Sequence, residues 1–328
     1  MIKAPRIQIN RRIIQNSVLL LILIFLIVFF TIQNPRFLSS RNLFNIPRQI
    51  LPVVIMGCAM TFIINSGAID LSVGGLMGLS AISFGKFVTF GVNPWLAVVL
   101  TLLVGVAVGS ISTFLIHGLK LPAIMATMAT WVMSSGAAYA LIRAIPITDV
   151  RMKPVFVLNT EKYFNDKVPL ALFIIIGVVL IFLFLEKKTI VGKYTIAMGG
   201  NENAAKFSGI NIAQMRWFIF ILCGIMASFS GVWAVSRIGS ADPNIGLGME
   251  FQVIAGCILG GVSIKGGDGT ITGMLIGTVL LFILINGMNM MGFNPYYQQV
   301  ATGIVILIAV MINYFVGQRG KKMAAQAA

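Results

Sequence analysis

Acidic side chains are scarce in this chain of 328 residues, nine Asp and Glu against 24 Lys and Arg, and there is a single histidine, His117. Each scarcity closes a class of function. Charged residues of both signs make up only 10% of the chain against 58% apolar ones, too few to hydrate a soluble surface, and this places the chain in a bilayer. One histidine excludes a His-metal cluster, and a catalytic triad would have to be built on His117 itself. The three cysteines, Cys58, Cys223 and Cys257, lie far apart in apolar surroundings without metal-ligand spacing, which argues against disulfides and structural zinc. No G-x-x-x-x-G-K-[ST] run is present, so no P-loop binds ATP. The net charge of +15 does not point to nucleic acid, because the Lys and Arg sit in short loops between apolar stretches, where they set topology and meet anionic head groups.

What is abundant is uninterrupted apolar sequence. Between Arg12 and Arg36 there is no charge, and the core SVLLLILIFLIVFFTI is long enough to cross about 30 Å of hydrocarbon. It reads as an uncleaved anchor rather than a secretory signal, since the apolar core is long and no small-residue cleavage site follows. Further spans are expected near Gln49 to Asn65, Leu71 to Phe90, Pro94 to Ile116, Leu121 to Ile142, Val168 to Leu185, Trp217 to Ser236, Ile245 to Ile264, Thr270 to Met291 and Tyr296 to Val316. The expected fold is therefore all-α, a polytopic membrane protein of about ten transmembrane helices; if the Gly-rich third and eighth are re-entrant, eight remain. An even number of spans puts both termini on one side, together with Lys3, Arg6, Arg11, Arg12, Lys187, Lys188, Lys193, Lys206, Arg216, Arg319, Lys321 and Lys322. The positive-inside rule makes that side the cytoplasm. The opposite side holds a loop of mixed charge from Arg143 to Lys167.

Within this frame one spacing occurs twice, 172 residues apart: Gly67, Asp70 and Gly74 read G-x-x-D-x-x-x-G, and so do Gly239, Asp242 and Gly246. The offset extends to Gly118 and Pro122 against Gly292 and Pro295. Five spans separate equivalent points, so the second unit faces the opposite way, the inverted-repeat plan of many transporters. The expected organisation is a basic N-terminus with helix 1 (1–36), a first repeat with an outside loop and helix 6 (37–186), a cytoplasmic loop (187–216), an inverted second repeat (217–316) and a cytoplasmic tail (317–328). Asp70 with Ser72 and Asp242 with Asn244 are gate candidates; each acid also suits an N-cap, and the glycines suit close helix packing.

Energy coupling is nearly absent from the chain. Asp70, Lys86, Glu186, Glu250, Lys265 and Asp268 all fall near expected helix ends, where they can reach the interface, so no proton- or ion-coupled carrier is indicated. The driving force must come from a partner. The longest cytoplasmic loop offers the contact: Asn201 is placed to cap a short helix of Glu202, Asn203, Ala204, Ala205 and Lys206 that stops toward Gly209.

Three segments, GAIDLSVGG at Gly67 to Gly75, AMGGNENAAKFSGIN at Ala197 to Asn211, and the run from Gly260 to Gly303, resemble the permease subunit of bacterial ABC importers of the ribose, xylose and galactose type. The similarity runs from about Phe37 to Asn313, with Ala68 where the family usually has a second glycine. The resemblance implies a multi-pass inner-membrane subunit that pairs with a second permease copy or paralogue. It also implies cytoplasmic ATPase subunits that bind ATP and Mg, a periplasmic sugar-binding protein, and no cofactor or chemistry in this chain. It makes the loop at Gly199, Gly200, Asn201, Glu202, Ala204, Ala205 and Gly209 the coupling element. A sugar path needs hydrogen-bonding groups and aromatic faces; Asn286 and Asn289 share a helix face, Phe293, Tyr296 and Tyr297 lie just beyond, and Asn65 and Asp70 come from the other half. The same Asn side chains suit interhelical hydrogen bonding, and the aromatics an interfacial belt. A branched-chain amino acid permease and an ATP-independent carrier are the competing readings.

Overall fold

A computed structural model describes residues 11–143, 145–164, 168–308, 310 and 311. The basic positions Lys3, Arg6, Arg319, Lys321 and Lys322, the expected tail and the end of the last expected span lie outside the described residues. In chain order the helices are α1 (Arg11–Gln33), α2 (Ser40–Asn65), α3 (Val73–Thr89), α4 (Pro94–Thr113), α5 (Ala123–Ile142) and α6 (Lys153–Thr160). They continue as α7 (Leu170–Lys188), α8 (Ile190–Gly200), α9 (Glu202–Phe207), α10 (Ile212–Ile238), α11 (Met249–Leu259) and α12 (Ile271–Met290). Residues 295–308 are also helical. A two-residue antiparallel ladder, Lys162–Tyr163 with Val168–Pro169, closes the loop after α6.

Among the described residues, six helices are long and apolar enough to cross a membrane: α2, α4 with its π-turn extension to Gly118, α5, α7, α10 and α12. Residues 19–33 of α1, and all of α3 and α11, are apolar but shorter. Helix starts are fixed by side chains that supply what the first-turn N–H groups lack, a need that is acute where no water is available. Asn93 accepts from Trp95 N ahead of Pro94, Asn211 from Gln214 N, and Thr270 from Gly273 N. Glu186, at the end of α7, accepts the Ile271 N–H of α12 at 3.0 Å.

The long helices α2 and α10 form the centre. α2 is buried continuously from Ile50 to Asn65, and α10 packs against α2, α3 and α4. The α4–α10 crossing is made by glycines, for a Cβ on Gly224 would collide with the Gly105 carbonyl and one on Gly109 would lie 2.6 Å from the Phe220 carbonyl. Such small-residue contacts let backbones approach where apolar burial gives no advantage over lipid. Ser80 and Ser228 tie α3 to α10 at 2.7 Å. Pro52 removes the N–H that would bond Arg48 O within α2, and the indole N–H of Trp233 donates to that carbonyl instead, at 3.1 Å. α1 seats Phe30 on Gly287 of α12.

Two expectations about charge are corrected here. Asp70 and Glu250 do not reach an interface; they are 2% and 3% exposed. The chain bends back inside the bundle at residues 66–72 and at 239–248, so charges near helix ends by sequence lie in the interior. Asn286 is likewise enclosed. Its Oδ1 accepts from Asn42 Nδ2 at 2.9 Å and its Nδ2 donates to Asn42 Oδ1 at 3.1 Å, a reciprocal amide pair that locks α2 to α12.

Replacing Asn42 alone with Leu strands the Asn286 amide and lowers stability by about 1–2 kcal/mol. The Asn42→Leu, Asn286→Leu double variant recovers most of that loss. Thermal unfolding of the four proteins in detergent measures the cycle.

Candidate translocation site and coupling loop

Each copy of the Gly-Asp-Gly spacing folds into a break between two helices. After α2, Gly67 takes φ +82° and the Asp70 carboxylate closes a turn on Ser72, accepting its N–H at 2.8 Å and its Oγ at 2.6 Å. After α10, Gly239 takes φ +80°, and Asp242 accepts the Asn244 N–H at 2.7 Å and its Nδ2 at 2.8 Å. Glycine ends the helix in a region of backbone space that disfavours side chains, and Asp folds the following residues onto its carboxylate. The second glycines of the two copies touch each other. A Cβ on Gly74 would stand 2.6 Å from the Gly246 carbonyl and would also collide with Glu250 Oε2, and one on Gly246 would meet the Gly74 carbonyl. The two copies, far apart in sequence, thus meet inside the bundle.

Beside this contact is a cavity of about 350 Å³ whose lining includes Gln49, Met77, Trp233, Arg237, Asp242 and Asn244. Its size falls within the range of about 300–1,000 Å³ usual for small-molecule sites. Tyr139 of α5 donates to Asn244 Oδ1 at 2.8 Å. Asp242 and Asn244 were expected here; Gln49, Trp233, Arg237 and Tyr139 were not. Trp233 and Arg237 are four apart on α10, and an Arg following a buried Trp in an apolar span was the signal that could have found them.

The remaining path candidates do not join this cavity. Asn65 is buried at the other end of α2, donating to Gly269 O at 3.2 Å, and Asp70 is enclosed beside the Cys223 thiol. Asn286 is occupied by Asn42, because a buried amide needs both a donor and an acceptor. Asn289 accepts from Gln298, Phe293 is exposed on the turn after α12, and Tyr296 and Tyr297 are exposed at the start of the helix that follows it.

The loop from Lys187 to Arg216 is a pair of helices. Thr189 caps α8, a helix the sequence did not reveal. Asn201 ends α8 through its own N–H to Ala197 O and caps α9 by accepting from Ala204 N at 3.0 Å. Gly209, at φ +85°, stops the turn after α9. Ala205 is buried under α9, while Glu202, Ala204 and Phe207 face outward, Phe207 at 91% exposure. Arg216 Nη2 holds Glu202 Oε2 at 2.6 Å, fastening α9 to the start of α10. Behind this pair, Gly199 packs against the first break and the turn between α11 and α12. A Cβ there would collide with Asn65 O and lie 2.5 Å from Gly267 N, and one on Gly266 would meet the Cα atoms of Gly199 and Gly67, each at 2.9 Å. Gly200, expected to act with Gly199, faces open space.

Broken helices that meet inside an apolar bundle, one of them backed by an exposed helix pair, define a multi-pass membrane transport subunit. The chain belongs to the family described as the permease component of the branched-chain amino acid transport system, which matches residues 42–310. It is 34% identical over 300 residues to the ribose import permease protein RbsC of Escherichia coli (strain K12), covering 90% of this chain and 92% of that protein. It is 36% identical over 291 residues to RbsC of Bacillus subtilis (89% and 90%), and 31% identical over 317 residues to the fructose import permease protein FrcC of Rhizobium meliloti (94% and 86%). The resemblance drawn from the three motifs is borne out: this is a permease component of an ABC transporter in the inner membrane, a transport subunit without its own ATPase site.

Gly199→Ala forces the junction apart and lowers stability by about 1–3 kcal/mol, as overpacking does, whereas Gly200→Ala costs little. Thermal unfolding of the two single variants distinguishes a packed junction from a loose loop.

Proposed function

We propose that this chain is the membrane-spanning half-path of an ATP-driven, binding-protein-dependent importer of a monosaccharide or related polyol. The observation that carries the proposal is the seating of one exposed helix pair, α8–α9, on the first helix break and on the turn between α11 and α12, through Gly199, Gly67 and Gly266. The names of the relatives, ribose and fructose import permeases, support a sugar as cargo.

In this reading a cytoplasmic ATPase that binds ATP and Mg grips the outer face of α9, with Phe207 and Ala204 toward it and Ala205 as the fulcrum. Movement of α8 displaces the turns at Gly67 and Gly266 together. Because the two breaks meet at Gly74 and Gly246, displacement of the first reaches the cavity, where Gln49, Arg237 and Asn244 offer a sugar weak polar contacts. Weak contacts suit a path fed by a separate binding protein, since tight ones would slow release. A second permease copy or paralogue completes the path at the subunit interface, and alternating access follows from rearrangement of the halves.

Ten spans in two inverted repeats, with both termini in the cytoplasm, complete the proposal. Its support is the correspondence of helix starts: Ser40, Val73, Pro94 and Ala123 have counterparts at Ile212, Met249, Ile271 and residue 295. The repeats and loop would occupy 37–186, 187–216 and 217–316.

The test is ATP hydrolysis in proteoliposomes holding the permease, its ATPase and its binding protein, with pentoses, hexoses, polyols and leucine offered in turn. Stimulation by a sugar or polyol, abolished by Ala205→Asp, is expected. Stimulation by leucine alone, or uptake that continues without the ATPase, contradicts the proposal.

A further inference from the structure

A second cavity, about 470 Å³, opens where α1 ends, α2 begins and α12 ends, the end of the bundle away from α8 and α9. It is lined by Arg36, Arg41 and Arg48 with Ser39, Asn42 and Asn45, and closed on one side by Met290. The Arg48 Nε–H is buried with no hydrogen-bond acceptor. None of the three guanidinium groups takes part in an ion pair among the described residues. The chain itself has little to offer them: the first acidic residue in the sequence is Asp70 and the last is Asp268, so α1, α2 and α12 carry no carboxylate at all.

Three converging arginines, one with a buried unsatisfied donor, cost free energy unless an external anion meets them. The shape of the anion follows from the donors. Guanidinium groups on several sides favour a tetrahedral oxyanion, which gives each a charge-assisted hydrogen bond. The surroundings indicate where that oxyanion comes from. Ile32 (76% exposed), Leu38 and Leu43 stand beside the bowl, and α1 below it presents Leu21, Ile24 and Phe25 outward, a face suited to acyl chains.

We propose that this bowl is a head-group site for an anionic phospholipid, its phosphate held by Arg36, Arg41 and Arg48 and its acyl chains running along Ile32, Leu38 and Leu43. The lipid fastens α1 to the α2–α12 pair in the leaflet opposite the coupling helices. Because Arg48 also presents its carbonyl to Trp233, the site adjoins the lining of the first cavity. The proposal does not depend on the identity of the cargo.

The test uses the full-length permease in neutral detergent, followed by native mass spectrometry and thermal unfolding, with phosphatidylglycerol, phosphatidylcholine or inorganic phosphate added. Phosphatidylglycerol should be retained in preference to phosphatidylcholine and should raise the unfolding temperature, while inorganic phosphate should not. R36Q/R41Q/R48Q should lose retention by roughly tenfold for each arginine contact removed, and the matching triple Lys variant, which keeps the charges, should restore much of it. Equal retention of phosphatidylcholine by the wild-type protein, an equal shift with inorganic phosphate, or unchanged retention in the Gln variant each overturns the proposal. So does a Gln variant that retains phosphatidylglycerol but loses stimulation by the binding protein, which would assign the arginines to protein docking.

Discussion

Backbone touching backbone at glycine is the constraint on which the rest of this structure depends. Two such contacts stand in series along the interior. At the first, Gly199 of the helix-pair loop packs against Gly67 and Gly266; at the second, Gly74 packs against Gly246 and the Glu250 side chain. Neither place has room for a methyl group, so the halves of the chain are in rigid contact rather than joined through deformable side chains. Packed contacts of this kind transmit displacement because the interior is close to incompressible.

The bilayer explains why the contacts take this form. A helix interrupted inside hydrocarbon exposes N–H and C=O groups that lipid cannot satisfy, so each break must carry its own acceptors and close against protein. Asp70 and Asp242 supply the acceptors, folding onto Ser72 and Asn244 in nearly the same geometry. The same demand appears at Pro52, whose missing N–H is replaced by the Trp233 indole, and at the Asn42–Asn286 pair. The aspartates of the two breaks are therefore first structural elements, and the cavity beside Asp242 is a consequence of how one break is built.

Legibility from sequence followed the range of the interactions involved. Apolar runs placed the long helices, and local chemistry placed the α9 cap at Asn201 and the stop at Gly209, because each depends on neighbours a few residues away. α8 escaped notice because IVGKYTIAMGG has no amphipathic stripe and ends in two glycines. α6 was hidden in a loop of mixed charge. The path residues were grouped by polarity, and the grouping failed where the partner is distant: the Asn286 amide pairs with a residue 244 positions earlier, and the Asn65 Nδ2 donates to one 204 positions later. Gln49 and Trp233 entered the cavity only through the crossing of α2 with α10.

Hydrogen exchange in the assembled transporter, with and without bound ATP, measures the central claim that motion of α8 and α9 is passed at once to the first helix break and to the turn between α11 and α12. The reporters are the Gly67 amide, bonded to Ile64 O, and the Gly267 amide, bonded to Asn65 O, each at 2.9 Å. The account predicts that nucleotide changes the protection of both amides together with that of α9. A change confined to α9, with Gly67 and Gly267 unaltered, would contradict it.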